Sequence, residues 1–289
     1  MMTYLIAASL ILVLLFLWGY WSSNLILKKG RLPVLFNPED FGRKYESFTV
    51  TSEDGINIEG WFVPAAVKSR STIIVLHGLG ANKGDVLDSS IALAREHNLA
   101  YFDFRNHGNS GGDTTSLSLL EIKDLAAVVK YLKATKKGLS ENLGVFGFSM
   151  GGAVAISGSA NIPEIKAVAV ESPFGSYERT IAHFAWIYYR VPKIFVPCTL
   201  WFARTRLGLD PNDHSPDKMV SKISPRPLLI IQGGSDLRMP VIEGRTLYDN
   251  AGQPKELWIV PEAHHVSARG INPEEYDKKV ADFFRKLVK

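Results

Sequence analysis

Six uninterrupted apolar runs, spaced by segments of helical periodicity, constrain this chain more than any other feature. They are STIIVLHG (71–78), LAYFDFR (99–105), NLGVFGFS (142–149), IKAVAVES (165–172), PLLIIQGG (227–234) and ELWIVP (256–261). A run without polar alternation suits a strand covered on both faces, as in a parallel sheet with helices on each side. The clearest helical segment is 118–136, where Leu119, Ile122, Leu125, Ala126, Val129 and Leu132 recur at spacings of three and four. Ahead of the runs, residues 45–64 read as a hairpin turning at Glu53, Asp54 and Gly55. The expectation is an α/β fold, a mostly parallel sheet flanked by helices. The 289 residues, 46% of them apolar, are enough for one large domain with a full core, which excludes disorder and a small stapled scaffold.

One interval breaks the rhythm. Residues 173–226 separate two sheet runs by far more than an ordinary crossover. They hold Tyr177, Phe184, Trp186, Tyr188, Tyr189, Phe195, Trp201 and Phe202, and read as an inserted helical lid.

The chain begins with a second exception. Residues 4–27 carry no ionisable side chain other than tyrosine. As a helix at about 1.5 Å per residue they would reach roughly 36 Å, enough for a hydrocarbon core of about 30 Å. Trp18, Tyr20 and Trp21 then fall near one interface, with Lys28, Lys29 and Arg31 just beyond it. The expected organisation is a transmembrane anchor with its basic flank over residues 1–31 and a single domain over 32–289. A cleaved signal peptide is the alternative; the run is long for such a segment, no Lys or Arg precedes it, and WSSNLIL lacks a small-x-small cleavage site. The basic flank puts the domain in the cytoplasm by the positive-inside rule.

Lys28, Lys29 and Arg31 also account for three of the +4 formal charges, which leaves the domain near neutral and makes a nucleic-acid partner unexpected. The one cysteine, Cys198, permits neither an internal disulfide nor a Cys-rich zinc site. With no phosphate-cradling loop and no ligand cluster, neither cofactor nor metal is expected.

Chemistry concentrates at the C-terminal ends of the runs. GFSMG (147–151) lies between a strand and a small-residue helix, and its glycines suit a serine, Ser149, on a turn too tight for side chains on either side. A serine hydroxyl is a weak nucleophile and needs a base held by a third group. Asp236 follows PLLIIQGG, and His264 and His265 follow ELWIVP, both in loops after strands. Developing negative charge needs donors, and the backbone N–H groups of Leu79, in HGLG (77–80), and of Met150 are the candidates. His77, Asp103, Arg105 and His107 read as loop-holding residues, and Glu171 as a reserve for the acid.

In these segments the chain resembles the α/β-hydrolase family of serine hydrolases, from about residue 45 to the C-terminus. GFSMG resembles the nucleophile elbow and LHGLG the oxyanion loop. FDFRNHGNSGG resembles the D-x-R-G-x-G-x-S segment, with Asn106 in place of the first Gly. LLIIQGGSDLRMP resembles the acid loop and VPEAHHVSA the histidine loop, with His264 where a Gly is common and His265 at the histidine position. The resemblance implies a Ser149, Asp236, His265 triad in the family's chain order, with an oxyanion hole at Leu79 and Met150. Ser149 at the elbow excludes the epoxide and haloalkane branch, which uses an Asp. Within the family the pattern is similar to membrane-anchored esterase-like proteins and to prolyl-oligopeptidase-like catalytic domains. The expected function is a membrane-tethered serine hydrolase cleaving an ester or thioester through an acyl-enzyme, its partners being a small or lipid-like ester and the membrane. A peptidase and a catalytically silent binding module are the alternatives. The aromatic residues of 173–226, Trp186 and Trp201 among them, would line an apolar acyl pocket; packing onto the sheet is their other use.

Overall fold

The structure is a computed structural model that describes residues 1–28 and 30–287, the side chains of residues 8, 11, 12 and 286 excepted. Lys29 of the basic flank therefore lies outside the described residues. The hairpin is formed by β1 (Glu46–Thr51) and β2 (Asn57–Val63), paired antiparallel. All six apolar runs are strands: β3 (Ser71–Leu76), β4 (Asn98–Phe102), β5 (Asn142–Phe148), β6 (Ile165–Glu171), β7 (Leu228–Gly233) and β8 (Lys255–Val260). Together they make an eight-stranded sheet in the order β1-β2-β4-β3-β5-β6-β7-β8, parallel from β4 onward. The helices are α1 (Met2–Leu27), α2 (Glu121–Thr135), α3 (Met150–Ser159), α4 (Tyr177–Tyr189), α5 (Val196–Leu207), α6 (Pro216–Met219), α7 (Val241–Asn250), α8 (Ala268–Ile271) and α9 (Pro273–Phe284).

The lack of alternation in the runs has the anticipated cause. Along β3, Ile74 and Leu76 join a core that includes Leu125 and Val129 of α2 and Val154 of α3. Ile73 and Val75 join a second core with Tyr276, Val280 and Phe284 of α9. Both faces are covered, so every residue of the strand can be apolar. Each fully buried aliphatic side chain contributes about 1.5–3 kcal/mol.

The helix anticipated over 118–136 starts later, at Glu121. Its Glu121 carboxylate accepts from the backbone N–H groups of Ser116 (2.8 Å) and Ser118 (3.0 Å) and from Thr115 Oγ1 (2.7 Å). The chain at 115–118 wraps around that carboxylate with Leu117 and Ser118 at positive φ, so Leu119 is buried from a loop. Ala126, counted with the apolar face, is exposed; Val128 is buried instead.

Between β6 and β7 the described structure is helical, with α4, α5 and α6 joined by short 3-10 turns. Glu243 of α7 holds the start of this segment: its carboxylate accepts from the backbone N–H groups of Gly175 (2.8 Å) and Ser176 (3.1 Å) and pairs with Arg179. The C-terminal half of α1 packs along α5. Gly19 allows the approach, since a Cβ there would lie 2.6 Å from Cys198 Sγ. Ser22 Oγ and Thr199 Oγ1 are hydrogen-bonded at 2.7 Å, and Arg206 donates to Ser23 Oγ (2.9 Å) and Asn24 Oδ1 (2.8 Å). Among the described residues no helix is long and apolar enough to cross a membrane; three side chains within α1 fall outside that set.

β4 ends at Phe102 because Asp103 turns inward. Its fully buried carboxylate accepts from the Lys83 N–H (2.7 Å), from the Asn109 N–H (2.8 Å) and from the Lys83 ammonium, itself buried against the Trp61 ring. Removing one partner of such a pair strands the other charge away from water. Lys83→Met is therefore expected to lower unfolding free energy by about 3–5 kcal/mol in urea titrations, far more than Lys278→Met at an exposed pair.

Candidate active site

Ser149 stands alone between β5 and α3 with φ 52° and ψ −116°, a conformation that residues other than glycine adopt only under constraint. The surroundings impose it. A Cβ on Gly147 would lie 2.2 Å from the Gly151 carbonyl oxygen, and one on Gly151 would lie 2.3 Å from that of Leu76. Both glycines of the motif are thus required by backbone passing backbone. The Ser149 N–H donates to the Glu171 carbonyl at 2.9 Å, which ties the turn to the end of β6.

The tight turn presents the hydroxyl to the loop after β8. His265 Nε2 lies 3.0 Å from Ser149 Oγ, and His265 Nδ1 lies 2.8 Å from Asp236 Oδ2. Asp236 Oδ1 accepts from the N–H groups of Arg238 (2.9 Å) and Met239 (2.8 Å), so the carboxylate is fixed by its own loop. Burial raises the Asp236 pKa, but the hydrogen bonds from His265 and the Met239 amide outweigh it and hold the carboxyl below its ordinary value. His265 Nδ1–H faces an anion, which leaves Nε2 as the acceptor toward the serine hydroxyl. His264, one residue earlier, is exposed, with Nδ1 3.1 Å from the Ser235 carbonyl. The two imidazoles that the sequence left in competition point to different places, and His265 is the one that meets Ser149.

Leu79 and Met150 line the same cavity as Ser149, and neither N–H has an acceptor among the described residues. Met150 opens α3, where the unpaired N–H groups and the helix dipole favour negative charge. The Leu79 loop is built from two neutral imidazoles. His77 Nε2 accepts from the Phe104 N–H (3.0 Å) while its Nδ1–H donates to the Gly78 carbonyl (2.8 Å). His107 Nε2 accepts from the Gly80 N–H (3.0 Å) while its Nδ1–H donates to the Arg105 carbonyl (2.8 Å). Burial lowers both pKa values, that of His77 to about 3. Asp103 and Arg105 hold the neighbouring loop, Arg105 by pairing with Asp54 and Asp124.

Glu171, the reserve acid, is not in this line. It is buried behind the histidine loop, accepting from the Ala268 N–H (3.0 Å) and the Tyr276 hydroxyl, and burial raises its pKa. Its support of the loop carries no sequence signal, because Tyr276 lies in a helix 105 residues away.

Ser149 and His265 open into a cavity whose walls are predominantly apolar. Phe174, Ile181, Phe184 and Tyr188 line it from β6 onward and from α4, and Val196 and Thr199 from α5. Trp18, Ser22, Leu25 and Ile26 of α1 line it as well, which the sequence reading did not anticipate. Trp186 and Trp201, expected among the lining residues, are instead 53% and 55% exposed on the outer faces of α4 and α5. No group of three or more potential metal ligands occurs among the described residues.

Fold and site together define a hydrolase of the α/β type. A family model described as Serine aminopeptidase, S33, matches residues 67–222, and the chain belongs to that family of α/β-hydrolase serine hydrolases. Protein YqkD of Bacillus subtilis is 31% identical over 246 residues, covering 82% of this chain and 78% of the relative. Membrane protein YNL320W of Saccharomyces cerevisiae is 24% identical over 233 residues, covering 79% of this chain and 76% of the relative. Among solved structures, the Pyrococcus furiosus esterase Pf2001 superposes with a TM-score of 0.76 at 28% identity, covering 90% of this chain and all of that one.

The neutral His77 has a consequence for stability. The unfolded chain takes up a proton on this group near 6.5, its folded counterpart only near 3. Its contribution is therefore complete above 6.5 and is lost as pH falls below that value, at up to ~1.4 kcal/mol per pH unit. His77→Gln should flatten the acid limb of a plot of unfolding free energy against pH; an unchanged limb would show that His77 is protonated in the folded protein.

Proposed function

We propose that this chain is a membrane-tethered serine hydrolase that cleaves carboxylic ester or thioester bonds through an acyl-enzyme on Ser149. The observation that carries the reading is the hydrogen-bonded line Ser149, His265, Asp236 at the mouth of an apolar cavity, beside two unpaired backbone donors. Ser149 Oγ attacks the carbonyl carbon as His265 Nε2 takes its proton. Asp236 stabilises the imidazolium, and the N–H groups of Leu79 and Met150 receive the oxyanion. His265 then protonates the departing alcohol or thiol. Water repeats the sequence on the acyl-enzyme, returning the serine and releasing the acid.

An ester is favoured over a peptide by the cavity lining. A free peptide amino terminus calls for a carboxylate, yet the described lining residues include no Asp or Glu, and their one permanent charge is the cation Arg238. The esterase Pf2001 supports the same choice. The set of groups is complete, which argues against a silent binding module.

Residues 1–31 serve in this reading as anchor and basic flank, and residues 32–289 as the hydrolase domain with a lid over about 173–226. Support for the anchor comes from α1, whose Leu5, Ile6, Leu10, Val13, Leu14 and Leu17 are exposed along a helix without a charged side chain. The yeast relative named a membrane protein supports it too. Lys28 and Arg31 after the helix favour a cytoplasmic domain.

A fluorophosphonate probe should label the protein at Ser149. Ser149→Ala is expected to lose the label and His265→Ala at least about 10⁴-fold in kcat/KM, while His264→Ala keeps most activity. Labelling that persists in Ser149→Ala would overturn the assignment. For orientation, protease added to intact cells should leave the domain whole; its digestion alongside an intact cytosolic marker would refute the cytoplasmic placement.

A further inference from the structure

We propose that the C-terminal half of α1 is a wall of the substrate pocket and sets the length of aliphatic chain that the site accepts, so that tether and specificity element are one helix. This rests on the ester hydrolase reading above and goes beyond it, because the anchor need not touch the substrate in that reading. Trp18, Ser22, Leu25 and Ile26 fall at intervals of four, three and one, which places them on one face of α1. All four line the cavity that Ser149 and His265 also line. The helix has another, outward face: Val13, Leu17 and Tyr20 are all more than half exposed, whereas Ser22 and Ile26 are buried to within a tenth.

The wall is fixed in position. Gly19 lets α1 touch Cys198 and Phe202 of α5, the Ser22 and Thr199 hydroxyls bond to one another, Cys198 Sγ donates to the Leu15 carbonyl at 3.0 Å, and Arg206 reaches Ser23 and Asn24. With Ser22 and Thr199 occupied by each other, this side of the cavity offers a ligand mainly hydrocarbon and aromatic surface. The chemistry that fits is an unbranched alkyl or acyl chain of medium length or longer, and each seated methylene should raise affinity about fourfold until the chain meets the wall.

The test uses the full chain in detergent micelles or nanodiscs, with p-nitrophenyl esters from butanoyl to hexadecanoyl below their critical micelle concentrations. Ser22→Phe fills the cavity and should lower the ratio of kcat/KM for dodecanoyl over butanoyl ester at least about tenfold, the effect of two or more lost methylene seats. Trp18→Ala empties it and should move the optimum to longer chains. Leu17→Ala, on the outward face, should leave the ratio as in the parent. Opposite shifts from filling and emptying cannot come from general loosening of the fold. A ratio within twofold of the parent in both Ser22→Phe and Trp18→Ala would overturn the proposal. Binding of a dansyl-labelled dodecyl amine, followed by fluorescence, needs no turnover and separates two failures. If the parent hydrolyses no ester yet Ser22→Phe still weakens the probe tenfold, the ester reading falls and the wall stands; if probe binding ignores Ser22→Phe, the wall falls.

Discussion

The conformation of Ser149 is the constraint on which the rest of the site depends. A serine at φ 52° and ψ −116° costs on the order of 1–3 kcal/mol, and it persists because its surroundings leave no alternative. Those surroundings are the register between β3 and β5, in which Leu76 stands opposite Gly147, and the start of α3 pressed against the Leu76 and His77 carbonyls. The same register carries Leu79, three residues past the end of β3, to the cavity that Ser149 also lines. Strand pairing, turn and helix start are therefore one arrangement, and the Leu79 and Met150 N–H groups come with the Ser149 turn.

Largely buried polar groups hold the neighbouring loops to that arrangement. Lys83 pairs with Asp103, Arg105 with buried Asp124 and exposed Asp54, and the His77 and His107 imidazoles brace the Leu79 loop. On the opposite side Glu171 ties both the Ser149 amide and the histidine loop to the end of β6. Groups of this kind are expensive to bury singly and cheap only as completed sets, so they favour one geometry over near alternatives.

What could be read from the sequence was what is local. The strands showed because burial on both faces removes polar alternation, and the elbow showed because Gly147 answers a clash within five residues, although Gly151 answers the end of β3 far back in the chain. The choice between His264 and His265 needed the loop's actual path, although alignment to the family's histidine loop pointed to the one that lies against Ser149. Long-range contacts left no mark: Ser22 and Thr199 are 177 residues apart. The expectation for Trp186 failed for a different reason, since residue type was weighed without helical phase. Ile181, Phe184 and Tyr188 lie at spacings of three and four and share the inner face, and Trp186 does not belong to that series. The late start of α2 was hidden because a buried Glu121 organises the turn before it.

The packing of α1 against α5 also changes what a trimmed copy of this protein would be. A cut between Leu27 and Pro33 would leave α1 docked on α5, but a copy that lacks residues 1–27 would also lack one side of the cavity beside Ser149. That shortened form would carry an open groove with Phe184, Tyr188 and Val196 turned toward water, sticky toward detergents and other chains. In the proposed reading, loss of the helix and loss of chain discrimination would be a single event, and an assay of the trimmed form would report on a different pocket from the one that the intact chain folds into.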